Sequence, residues 1–312
     1  MKRFSVPCAG LLVLAAMVSG CGKSGTSTDP FGGSGSSGDQ AQVTEQLAQN
    51  PSYVDDDVSQ TQDVTAAQAP AAESVAQPFG TLTAIQPIQF WRTIRDVRRT
   101  FEFAFSDTDS TGHPTVAVVT VRKGLSGSFN ILTAPPQDSV FANDIVRKPL
   151  HDQWVRRILL ERVRVPELGR PRWRIAALSG VEVASRDGQT RIESLRVQAS
   201  GVDTTVTDPL AFQRLRHVLH FDAGDSVTLT VTTPRNDDVV VLQHRDRRFR
   251  LHSNGDNTYT GVFHVRLLAG LHHLGVNALS NGTLFDDQAP YDSQSWILPY
   301  VVRPTELASF EP

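Results

Sequence analysis

Cysteine is nearly missing from this chain. Of 312 residues only Cys8 and Cys21 are cysteine. Residues 22–312 therefore make no disulfide, no cysteine-based metal site and no cysteine nucleophile. Lysine is almost as scarce: Lys2, Lys23, Lys123 and Lys148 are the four. No Gly-rich phosphate loop carrying a lysine is found. Long apolar runs are absent too. The best stretch runs from about Val6 to Val18, broken by Pro7 and Gly10, whereas a membrane-crossing helix needs roughly 20 apolar residues. Neither sign of charge dominates, with 30 Lys and Arg against 33 Asp and Glu. Residues 89–312 carry 27 basic and 25 acidic side chains, and a near-neutral body argues against nucleic acid as a partner.

What is present begins at the N-terminus. Lys2 and Arg3 precede the short apolar stretch, which suits the h-region of a signal peptide. It ends at Val18-Ser19-Gly20-Cys21. This run resembles the lipobox of bacterial lipoproteins. The resemblance implies removal of residues 1–20, a diacylglycerol on the Cys21 sulfur and usually a third acyl chain on the new N-terminus. A single chain anchors marginally, at about 0.8 kcal/mol per buried CH₂, and two or three anchor firmly. Gly22 and Lys23 follow, with no Asp directly after the cysteine. By similarity to the sorting pattern of enteric bacteria, this implies the outer rather than the inner membrane. The alternative is a secretory signal in which Cys21 is incidental.

Residues 21–88 read as a lipidated cysteine followed by a linker. Gly32-Gly33-Ser34-Gly35-Ser36-Ser37-Gly38 is flexible by composition. The rest is rich in Ala, Gln, Thr and Asp, including Asp55-Asp56-Asp57, and has few large apolar residues to offset ordering entropy. One lysine stands against eight acids. As a coil, this segment would separate its ends by about 45 Å. A helical turn around Val43 to Gln49 is compatible with the sequence but not required.

Period-2 alternation dominates the remainder. Phe101, Phe103 and Phe105 share a face. Asp107 to Pro114 supplies turn chemistry, and Thr115 to Arg122 is a β-branched strand, so the pair reads as a hairpin. Arg172 to Ala184 alternates as well. Phe90, Trp91, Ile94 and Val97 have the spacing of a short helix. About eight further strands follow Ile192, separated by turns such as Ala223-Gly224-Asp225 and Asn254-Gly255-Asp256-Asn257. Ala223 to Val231 and Gly255 to Gly261 resemble the turn-plus-strand units of bacterial immunoglobulin-like domains. The expected fold is mainly β. Residues 89–187 form an antiparallel β-rich domain, or an α+β domain of cystatin-like or nuclear-transport-factor-2-like element order. Residues 188–304 form an immunoglobulin-like β-sandwich, and residues 305–312 are a tail.

Candidate chemistry is thin. Asp286, Asp287 and Asp292 flank Pro290-Tyr291, and three carboxylates in one loop can gather calcium, which takes six to eight oxygens; they can equally cap turns. Asp107-Thr108-Asp109-Ser110-Thr111-Gly112 starts like a calcium loop, but Val118 stands where an EF-hand needs Glu. His244, His252 and His264 come from neighbouring strands, without a carboxylate at a known ligand spacing. Ser126 lacks the Gly-x-Ser-x-Gly elbow. Arg245, Arg247, Arg248 and Arg250 can grip phosphate or carboxylate groups, or form a solvated face. No cofactor other than calcium is indicated.

Three functions fit. The first is a lipid-anchored envelope protein whose β-domains bind or scaffold a protein or glycan. The second is a lipid-anchored enzyme with a pocket in residues 89–187. The third is an assembly component that pairs through a sheet edge.

Overall fold

The computed structural model describes residues 37–56, 67–68, 85–133, 144–165, 170–244 and 247–303. Cys21 and residues 1–20, expected to be a signal peptide, lie outside them. The described chain is mainly β, with two antiparallel sheets.

Two helices open it, α1 (Ser37–Gln49) and α2 (Pro51–Val54). Val43 and Leu47, four apart, share one face of α1 and are buried with Val54. Pro51 starts α2, where its missing N–H costs nothing. This stretch was expected to be linker. Three apolar side chains docked on the body provide the burial that its average composition conceals.

The strands β1 (Ala67–Gln68), β2 (Pro87–Thr108), β3 (Pro114–Thr133), β4 (Ile145–Val165) and β5 (Arg170–Ser185) follow in antiparallel order. β2, β3 and β4 have 22, 20 and 21 residues, against a usual length of about 3–10. The 101–105 hairpin is found with Phe101 opposite Val121 and Phe105 opposite Ala117. The helix expected over residues 90–99 is not: they lie within β2. The register slips between Ile94 and Asp96. An extra residue at a bulge puts Ile94 and the exposed Val97 on one face of the strand, and that three-residue step mimics helical spacing. Opposite the bulge sits Gly127, where an added Cβ would overlap the Thr93 carbonyl.

The rest comprises β6 (Ser194–Ala199), β7 (Val202–Val206), β8 (Gln213–Arg214), β9 (Leu219–Asp222), β10 (Ser226–Thr232), β11 (Val239–His244), β12 (Arg247–Arg250), β13 (His252–Ser253), β14 (Thr258–His264), β15 (Gly270–Leu279), helix α3 (Asn281–Phe285) and β16 (Ser293–Arg303). The large sheet runs β1-β2-β3-β4-β5-β16-β15-β11-β12, with β8 beside β5 and β9 parallel to β16. Its ends meet, because β1 lies beside β12. The second sheet runs β13-β14-β10-β6-β7.

The boundary expected at residue 187 falls in the turn after β5, yet the large sheet crosses it. β16, last in the chain, inserts between β5 and β15. Two cores result. The first, inside the curled sheet, joins α1, α2 and α3 to β2–β5 and includes Phe129, Trp154, Ile158 and Ile297. The second lies between the two sheets and includes Val197, Leu229, Tyr259, Val276, Trp296 and Leu298. Adjacent residues of β16 thus serve opposite cores, which is why eight consecutive positions, 293–300, are buried.

Candidate functional site

The inner face of β4 carries the concentrated chemistry. Alternation turns Lys148, Leu150, Asp152, Trp154, Arg156, Ile158 and Leu160 inward, and all seven are buried. Three of them are ionic. Charges in an interior must be paired or shed, so each partner matters.

Residues 51–56 cover the Arg156 region. Arg156 donates from Nη1 to the carbonyls of Tyr53, at 3.2 Å, and Asp55, at 2.8 Å. Its Nη2 lies 3.1 Å from Nε2 of His273. Arginine has only donors, so that imidazole nitrogen accepts. Lys123 Nζ is 2.6 Å from the Asp55 carboxylate and stands 4.0 Å over the Trp154 ring, within cation–π range. The Trp154 indole donates to Asp56 Oδ2 at 3.1 Å. Burial raises the Asp56 carboxyl above its usual range, opposed by Arg156, His273 and Lys123. Asp56 Oδ1 is buried without a hydrogen-bond partner among the described residues.

A second cluster surrounds Asp152. Oδ2 accepts from the Tyr291 hydroxyl at 3.1 Å, and Oδ1 accepts from Ser185 at 3.3 Å. Tyr291 and Ser293 hydroxyls lie 2.6 Å apart, and Arg92 donates to Ser293 at 3.2 Å. Burial raises both the Asp152 carboxyl and the Tyr291 phenol; Arg92 opposes the Asp152 shift. The third cluster is Lys148, which donates to the carbonyls of Gly282 and Asp286 at 3.0 and 2.5 Å. Burial lowers its ammonium to about 8, against the pull of Asp286 and Asp287.

The loop of three carboxylates therefore has a cation beside it: Lys148 of β4. Asp292 accepts from the backbone N–H groups of Gln189 and Thr190 at 3.0–3.1 Å. Asp286 accepts from Gln288 N–H at 2.9 Å, and Asp287 Oδ1 is buried without a hydrogen-bond partner among the described residues. These carboxylates point to separate tasks. Among the described residues no three His, Cys, Asp or Glu side chains gather as a metal ion requires. Asp109 spends Oδ1 on Thr111 and His113, a self-bonded turn. Those bonds, with Thr111 first, lower its carboxyl to about 2.

The histidines diverge. His244 is buried 3.0 Å from the Tyr300 hydroxyl, while His252 and His264 are exposed. Ser126 lies in β3 beside His151 of β4, 3.4 Å away. Of the arginines, Arg245 and the Arg247 side chain lie outside the described residues. Arg248 and Arg250 share a face of edge strand β12, opposite Phe249.

Sequence reasoning missed Asp55, Asp56, Arg156 and Lys148. One signal was available: residues 22–312 hold three lysines, and the two beyond the linker are both buried under covering segments. A rare, costly residue inside a β-rich body marks a pairing site.

Comparison with known proteins finds no match: no family model, no curated protein and no solved structure is similar to this chain.

Together the clusters act as clasps. Lys123 and Arg156 hold residues 51–56, Lys148 holds α3, and Asp152 holds the turn at Tyr291. Most of their polar atoms are directed at the chain's own covering segments, while Arg156 also meets His273 of β15 and Asp152 also accepts from Ser185 of β5.

Proposed function

We propose that this is a lipid-anchored cell-envelope protein whose β-rich body binds or scaffolds a protein or glycan and does not catalyse. One observation carries the non-catalytic part: Lys123, Lys148, Asp152 and Arg156 are each engaged by a covering segment of the chain itself. An active site instead converges titratable groups on a cleft. The finer reading of residues 188–304 as an immunoglobulin-like spacer belongs to the same proposal. It is supported by the second core between two antiparallel sheets. The anchor rests on the sequence around Cys21, and Gly22-Lys23 favours the outer membrane.

Docking of α1 changes the reach of the tether. Fifteen residues, 22–36, separate Cys21 from Ser37. Even fully extended they span no more than about 55 Å, at about 3.3–3.6 Å per residue. The body is thus held near the lipid surface rather than on a long leash. Replacing Cys21 by Ser tests the anchor. The variant is expected in the soluble envelope fraction without acyl mass; a variant still membrane-bound after a carbonate wash would falsify it.

A further inference from the structure

The short tether leaves from a particular end of the fold. Asp39, in the first turn of α1, lies 3.7 Å from Arg162, which pairs with Trp173 near the β4–β5 turn. The loop between β14 and β15 lies towards the same end. Ile297 pairs with Val181, and Val181 with Arg156. From Ile297, β16 runs to Val302 in the direction that takes β4 from Arg156 to Arg162. Val302 pairs with Gly270, where the loop ends.

That loop exposes Leu267 at 82% and Leu268 at 67%, the highest values among the large apolar residues described. Two adjacent leucines at a loop tip have no role in either core. Exposed Arg164, Arg172 and Arg174 lie along the β4–β5 hairpin at the same end. Nearby acids are partly engaged: Glu161 lies 3.5 Å from Arg214 and Asp222 lies 2.9 Å from Arg303. Asp107, near the end of β2, and Asp109, in the β2–β3 turn, also lie at this end.

We propose that this end is the membrane face of the body: Leu267 and Leu268 seat in the interfacial layer of the lipid surface that carries Cys21. Arg164, Arg172 and Arg174 meet its anionic head groups. Apolar tips with flanking cations are the combination that such surfaces bind. The inference rests on the lipoprotein reading, and supplies an orientation that the anchor alone does not.

The test uses the full chain, purified in lipidated form and reconstituted into phosphatidylethanolamine–phosphatidylglycerol vesicles. Acylation of Cys21 leaves no free thiol in the mature chain, so Ala269→Cys takes a polarity-sensitive fluorophore specifically. Asn236→Cys is the control. It follows β10, whose other end, Ser226, pairs with His264 beside the loop. Brominated acyl chains are expected to quench the label at 269 and spare that at 236. Adding L267D and L268D should abolish the quenching while the lipid still holds the protein on the vesicle. A vesicle-bound, acylated protein with no quenching at 269 overturns the orientation alone, and points to an aqueous partner for the tip. Equal quenching at both sites overturns it as well. A chain without acyl mass overturns the anchor and this inference together.

Discussion

Single residues in this protein carry charge where burial disfavours it. Asp56 and Asp152 are both raised by desolvation, and Lys148 is lowered by it. Asp238 is the clearest case for a measurement. Among the described residues neither of its buried carboxylate oxygens has a well-formed hydrogen bond, and the neighbouring Thr233 hydroxyl donates to the Arg235 carbonyl. Arg235 Nε is 3.8 Å away. Burial raises the carboxyl to about 6. The folded value lies above the unfolded one, so folding favours the protonated form. That contribution is complete below about pH 4 and lost as pH rises through about 6. Asp238→Asn removes the titration. Above pH 7 the variant should melt higher than the parent, with the gap closing towards about pH 4. Melting curves across this range check it; a gap that widens in acid contradicts it. None of this was readable from sequence, where Asp237-Asp238 is an ordinary turn pair. Full burial of Asp238 and only partial burial of Asp237 depend on β11 entering between two cores.

At the scale of elements, the sequence was a good guide where alternation is unbroken. The 101–122 hairpin and most of the later strands are legible from period-2 patterning alone. It failed at β2 because a bulge imitates a helical step, and at residues 37–56 because composition averages hide position. Val43, Leu47 and Val54 are few, but each meets a surface prepared for it. The candidate site was illegible for the same reason, since Asp55 and Asp56 count as linker acids until α2 brings them over Lys123 and Trp154. Because Leu47 is buried in the inner core, Leu47→Ala should destabilise the whole body by about 2–5 kcal/mol, the cost of emptying a core site. An exposed linker position would cost roughly 0.5 kcal/mol or less. Denaturant unfolding separates the two. A Leu47→Ala midpoint equal to the parent's would show that the helix adds nothing to the fold.

At the scale of the molecule, the decisive feature is that β16 is shared. Two halves that look separable in sequence use one strand, the last among the described residues. Ile297 fills the inner core and Leu298, the next residue, fills the core between the sheets. Both cores draw on β16, which lies between β5 and β15. The two cores should therefore unfold together. Ile297→Ala and Leu298→Ala are each expected to cost about 2–5 kcal/mol. Both should shift one transition, with the same midpoint whether monitored by Trp154 fluorescence in the inner core or by Trp296 fluorescence in the outer one. Single-tryptophan versions of the chain give those two probes. Independent domains would behave differently: each variant would lower only its own probe's transition and leave the other in place. That outcome would return the boundary to residue 187 and make β16 a loose seam. A single transition makes β16 the element that locks both sheets into one cooperative unit.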